Sequence, residues 1–372
     1  MMLRKISGKQ GQMEITFNWV YILIAGAVIL LFFVSLVARQ KTVSEERLSG
    51  EVVEILSSIL AGASVSEKTK NFIDASGLAD YTLYFQCLDG VSEFGIKDRP
   101  ARTQNPIDPI FAPHEMRSSR IVAWSLPYTM PFKVMDFLFI IPSNVKYYIA
   151  GNDADFVNEF LNSTEGIERV YVQGLQQIEA EENLQVRIID TSGAVIPGSI
   201  IPAQLQSFED EEVSAVVFTG VNQVDFYQKQ GSSWKKNNLN TLRVISLPGE
   251  RDAAKYAAIF AADDQLYWCN MNKAFTRLEI LTKVYGGEEI AYGEAGGKIQ
   301  ELIDYYKDDI SSDCRGHLEQ YNENALDALA KLSHAASACR LQQESCVDLI
   351  DAGDMLKKIN DKLRISCSVS LY

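Results

Sequence analysis

The feature that most constrains this 372-residue chain is an uninterrupted apolar run near its start, Ile15 to Ala38, reading ITFNWVYILIAGAVILLFFVSLVA. No charged side chain falls within it. As a helix rising about 1.5 Å per residue it extends about 36 Å, enough to cross a hydrocarbon core of about 30 Å with modest tilt. A soluble core helix of this length keeps a polar face, which this run lacks. A cleavable secretory signal is shorter and ends in small residues, whereas Arg39-Gln40-Lys41 follows here. The sequence therefore predicts a single-pass anchor in the cell membrane, with lipid contacting Ile15 to Ala38.

Orientation rests on what flanks and follows the span. Arg4, Lys5 and Lys9 precede it, and Arg39, Lys41 and Arg47 follow, so basic residues alone do not choose a side. All six cysteines, Cys87, Cys269, Cys314, Cys339, Cys346 and Cys367, lie beyond the span. An even number on one side suits an oxidising compartment. Asn162-Ser163-Thr164, a glycosylation sequon with Asn162 as acceptor, lies on the same side. The large C-terminal part is thus expected to be extracytoplasmic. Its charge agrees with a solvated surface: 35 basic against 49 acidic residues give −14, which argues against nucleic acid as a partner.

The head reads MMLRKISGKQGQMEITFNWVY. A short basic leader, Gly-Gln, an acidic residue and then the span resemble the class III signal peptides of archaeal type IV pilin-like proteins. The resemblance covers about the first 50 residues. It implies a prepilin peptidase that cuts on the cytoplasmic side between Gly11 and Gln12, and other pilin-like subunits as partners. In that family the acidic residue stands at the fifth mature position and pairs with a neighbour's terminal amine; Glu14 would be third. Beyond the span, Leu48, Val52, Ile55 and Ile59 recur at helical spacing, so the membrane helix is expected to continue as an amphipathic one to about residue 62, with Ser49-Gly50 able to kink it. The whole chain also resembles uncharacterised archaeal single-pass membrane proteins that open with Gly-Gln-Met-Glu.

From about residue 78 to 297 the pattern predicts a mixed α/β ectodomain. Strands are expected at 81–87, 120–124, 133–141, 145–150, 170–172, 184–189 and 213–218, and a hairpin around Gly231. Asn152-Asp153-Ala-Asp155 caps an expected helix over 156–161. Four prolines make 91–118 loop-like. Residues 256–261 and 265–269 are expected as strands flanking an Asp263-Asp264 turn, with a helix over 272–285. Gly286-Gly287 and Gly293 to Gly297 form an expected flexible joint. Residues 298–372 then read as a C-terminal helical hairpin, its helices at about 318–337 and 346–363.

No motif for catalysis, cofactor or metal stands out. Gly293 to Lys298 is too short for a phosphate loop and lacks its Ser or Thr. Ile188-Ile-Asp190-Thr191-Ser192-Gly193 departs from the aspartic-protease turn, and no second copy supplies the paired carboxylate. Three Ser-x-x-Lys matches, at Ser143, Ser232 and Ser233, lack the partner motifs of penicillin-recognising enzymes. The histidines are His114, His317 and His334, and no Gly-x-Ser-x-Gly elbow accompanies them. Cys314-x₂-His317 and His334-x₄-Cys339 look like zinc ligands, but on one helix the histidines stand about 25 Å apart, too far to share a metal.

The hairpin constrains the cysteines. Cys339 and Cys346 flank its turn, and Cys314 and Cys367 both lie at its open end, which leaves Cys87 for Cys269. The expected function is a membrane-anchored extracytoplasmic structural or binding protein, either a minor pilin-like subunit or a surface receptor or adhesin. The alternatives are a membrane-tethered hydrolase with a site built from scattered residues, and a cytosolic scaffold.

Overall fold

A computed structural model describes residues 70–372, apart from 180, 182–183, 221, 248–251, 309–312, 321–323 and 342–344, together with isolated positions between 23 and 62. The basic leader, Gly11, Gln12 and Glu14 lie outside the described residues, as does most of the Ile15 to Ala38 run. Among the described residues no helix is long and apolar enough to cross a membrane.

The strands are β1 (Lys70–Asp74), β2 (Leu83–Leu88), β3 (Val91–Ile96), β4 (Arg102–Asn105), β5 (Ile110–Phe111), β6 (Glu115–Met116), β7 (Arg120–Thr129), β8 (Lys133–Pro142) and β9 (Val145–Ala150), and then, after helix α1 (Ala154–Ser163), β10 (Arg169–Val172), β11 (Gln185–Asp190), β12 (Val213–Phe218), β13 (Gln223–Gln230), β14 (Ser233–Lys236) and β15 (Leu242–Arg243). Helices α2 (Ala253–Phe260), α3 (Asp264–Gly286), α4 (Gly297–Tyr305), α5 (Ala325–Leu341) and α6 (Cys346–Cys367) complete the chain. This is the mixed α/β architecture with helices gathered at the C-terminal end.

Three sheets result. One has the order β1-β7-β8-β5, built on the long β7–β8 hairpin, with β5 parallel to β8. The second is the antiparallel set β4-β3-β2-β6. The third has the order β10-β9-β11-β12-β13-β14, with β15 also on β13; its first four strands are parallel. Every residue of β9 is buried, as expected of a central parallel strand covered on both faces.

Two expectations are overturned here. Residues 91–118 are not loop but hold β3 to β6, short strands that fit between the prolines: β4 lies between Pro100 and Pro106, and β5 between Pro109 and Pro113. Residues 256–261 and 265–269 are not strands. They belong to α2 and α3, and the Asp263-Asp264 pair is a helix start, with Asp263 Oδ1 accepting from the Leu266 amide at 2.9 Å. Asp252 caps α2 in the same way, through the Lys255 amide. All but one residue of α2 is buried, so no polar face marks its helical period; its alanines, strong helix formers, were the available signal.

The glycine-rich joint is also not loose. Its ends are clasped, with the Gly296 amide donating to Gly286 O at 2.7 Å. Gly287 has φ +96°, and a Cβ there would stand 2.6 Å from Gly296 Cα. Only glycine allows two main chains so close.

All six cysteines are paired. Cys87–Cys269 ties β2 to α3, Cys314–Cys367 closes the open end of the hairpin, and Cys339–Cys346 bridges its turn, with Cα separations of 5.8, 5.7 and 4.4 Å. The first hairpin helix differs from its expected bounds: α5 begins at Ala325, after a helical turn at Asp313–Arg315 and a wider one at Gly316–Gln320. Cys269 stands on a helix rather than at a strand end. One buried cluster runs from the sheets through Trp124, Phe139 and Phe275 into Leu329 and Leu356 of the hairpin.

Candidate functional site

In a parallel sheet, ligands favour the crevice at the carboxyl ends of the strands, where the strand order reverses. Here that point lies between β9 and β11. It is stitched shut: the Thr191 amide and hydroxyl both donate to Ala150 O, at 2.9 and 3.1 Å. Asp190 is buried beneath the turn, accepting from the Ser192, Gly193, Val195 and Ile196 amides and the Ser192 hydroxyl. With its oxygens committed, Asp190 organises a loop and offers nothing to a substrate.

Behind the same sheet, Arg187 of β11 is fully buried at the carboxyl end of α2. Its guanidinium donates to the carbonyls of Ala258, Ile259, Ala261 and Ala262 at 2.8 to 3.2 Å, and to Ser214 Oγ. The helix dipole supplies the negative end that the cation faces. Burial pulls its pKa down to about 10, so it is charged at neutral pH. Nearby, His114 Nε2 meets Asp263 Oδ2 at 2.8 Å, and its Nδ1 faces Phe85 O at 3.4 Å. The hydrogen bond to Asp263 raises the His114 pKa, and that pairing holds Asp263 low against its own burial. This dyad joins the β5–β6 loop to the cap of α3, and among the described residues its hydrogen bonds reach Asp263 and Phe85 O, not a hydroxyl or thiol.

A trough along α3 encloses about 1180 Å³. The turn after β2, the loop at 106–108, the start of β8 and Arg340 of α5 form its other walls. Its floor is held by Lys273, which is 7% exposed. The ammonium donates to Ser92 Oγ, Asn105 O and Asp108 O at 2.7 to 2.9 Å. Burial lowers its pKa to about 8. All three N–H groups are spent, so Lys273 locks β3, the 105–108 loop and α3 together instead of acting as a base. Asn270 beside it bonds Ser92 and both main-chain groups of Ile110. Two trough acceptors, Asp136 Oδ1 and Asn272 Oδ1, are buried without a donor.

The other residues singled out in the sequence stand apart from this trough. Asn162 is exposed at the last turn of α1, but the Thr164 hydroxyl of its sequon is buried and donates to Phe160 O at 2.6 Å. Ser143 Oγ faces Ser118 Oγ, and Lys146 pairs with Glu181, so no Ser–Lys contact forms there. The thiols near His317 and His334 are consumed in disulfides, and among the described residues no group of three or more His, Cys, Asp or Glu could hold a metal ion. At Gly297 the main chain of Val284 packs so closely that a Cβ would clash with its carbonyl, so this glycine serves the packing of the joint. Of the cysteines, Cys269 alone lines the trough. Sequence reasoning missed the trough because its walls come from positions as distant as Asp89 and Arg340. No protein-family model, curated protein or solved structure matches this chain.

Proposed function

We propose that the chain is a single-pass, membrane-tethered binding protein whose disulfide-linked α/β domain faces an oxidising compartment outside the cytoplasm. The observation that carries this reading is the pairing of all six cysteines in three disulfides, a usage suited to secreted and surface domains. Tethering rests on the Ile15 to Ala38 run, in which Leu23, Ile24, Val28, Leu30 and Leu31 are 57 to 66% exposed; apolar side chains left uncovered in this way favour lipid. The trough along α3 is the binding surface in this reading. The leader supports processing by a prepilin peptidase between Gly11 and Gln12 and a role as a minor pilin-like subunit or a surface receptor or adhesin.

Orientation is tested at Leu239, a fully exposed residue in the turn after β14. The native cysteines are paired, so Leu239→Cys supplies one reactive thiol. A membrane-impermeant maleimide should label it on intact cells. Labelling only after lysis would refute the outward orientation.

A further inference from the structure

The trough is lined lengthwise by one stripe of α3. Asp264, Trp268, Asn272, Thr276 and Ile280 recur every four residues, a run of about 24 Å. Its apolar surface includes Ile107, 69% exposed, and Ile280, 50% exposed. Half of its eight charged side chains are internally matched: Lys133 pairs with Asp136 at 2.8 Å, Arg340 with Glu279 at 3.5 Å, and Lys273 is spent on the floor, where the Asp108 carboxylate, held by Asn105, lies near it. Among the described residues no ion pair engages Asp89, Asp264 or Arg277. The two carboxylates gather at the amino end of α3, where Cys87–Cys269 brings the turn holding Asp89 to the helix. Arg277 lies 13 residues further on, about 20 Å along the axis. The trough therefore offers unmatched negative charge at one end and unmatched positive charge at the other. Between them lies apolar surface.

We propose that this trough receives an extended segment of a partner protein, about seven residues long, with a cationic side chain at Trp268 and Asp264, an anionic group at Arg277 and apolar residues between. Seven extended residues place their end groups about 20 Å apart, matching the Asp264 to Arg277 spacing. A cation at the amino end gains both the carboxylates and the face of Trp268. An acyl chain would supply no charge. The proposal rests on the reading of the trough as the binding surface.

The test is calorimetry on the full chain in lipid nanodiscs. The probe is a blocked heptapeptide, Lys-Leu-Thr-Leu-Thr-Leu-Glu, and the control carries Gln at both ends. The charged peptide should bind about tenfold more tightly than the control. Asp264→Asn and Arg277→Gln should each weaken it about threefold or more, and Thr276→Trp, which fills the trough, should abolish binding. Equal affinity for both peptides, or indifference to the two charge variants, overturns the charge register; if Thr276→Trp still blocks binding, the trough itself stands as the binding surface. Binding untouched by Thr276→Trp, or no binding by either peptide, overturns the proposal and the trough reading together.

Discussion

Replacing Arg187 with methionine, which keeps the apolar stem of the side chain but removes its guanidinium and five N–H groups, should be among the most damaging substitutions in the α/β region. The carbonyls of Ala258, Ile259, Ala261 and Ala262 would lose their donor where α2 ends inside the core. A buried acceptor left unpaired costs about 1–3 kcal/mol. Four at the lower bound give about 4 kcal/mol, after allowing water to reach the more open ones and the guanidinium's own desolvation penalty to disappear. At about 1.5 °C per kcal/mol for a chain of this size, the melting temperature should fall by about 6 °C. Lysine, a compact donor without the planar fork, reaches fewer of the four carbonyls and should recover about half. The loss should be independent of pH below about 8: with a folded pKa of about 10, Arg187 holds its proton in both states there. Thermal unfolding followed by circular dichroism under oxidising conditions measures both variants against the wild type. A shift of less than 2 °C for Arg187→Met would refute the argument, because it would mean those carbonyls find other partners.

Mass spectrometry of the mature protein should find Gln12 at the amino terminus, and Gly11→Leu should block the cut while leaving the melting temperature unchanged. Removing the disulfides as Ser pairs should cost stability in the order of the loops they close: about 5 kcal/mol for Cys87–Cys269, about 4 for Cys314–Cys367 and about 2.5 for Cys339–Cys346 in the chain-entropy model, read by denaturant titration. The His114–Asp263 pair should make stability depend on pH. The raised His114 pKa gives a contribution complete below its unfolded value and lost as pH rises through the folded one; the lowered Asp263 pKa gives one lost on acidification below about 4. His114→Gln should therefore lose more melting temperature at pH 5 than at pH 8, and equal losses would show the pair is not the cause.

How much of this was legible in the sequence depends on how local the signal is. Two of the disulfides followed from the hairpin and the third was the pair that remained, while the Asn152-Asp153-Ala-Asp155 stretch announced α1 as a cap, the capping side chain being that of Asp153. α2 did not show itself, because a helix buried on every side has no polar face to mark its period. An Asp-Asp pair between two apolar runs reads equally as a turn or as a helix cap, and here Asp263 is the cap. Arg187 was visible as a lone charge in the apolar strand Val186-Arg187-Ile188-Ile189, yet its partners are carbonyls more than 70 residues away. The trough is the extreme case. Lys273, Asp136 and Asp89 meet only after two sheets and α3 have packed, so no spacing along the chain could announce it.

The clasp between Gly286 and Gly296 fixes where α3 stops and α4 starts through main-chain atoms alone. The residues between are an excursion whose two ends are already pinned, with Ile290 buried as its foot and Tyr292 83% exposed at its tip. Lengthening a closed loop is thermodynamically cheap, about 0.6 kcal/mol per doubling. A tag or small domain inserted between Tyr292 and Gly293 would therefore hang from a fixed base and leave the angle between the two helices as it is. The surface of this domain thus carries a ready attachment point for a reporter, set apart from the residues that line the trough.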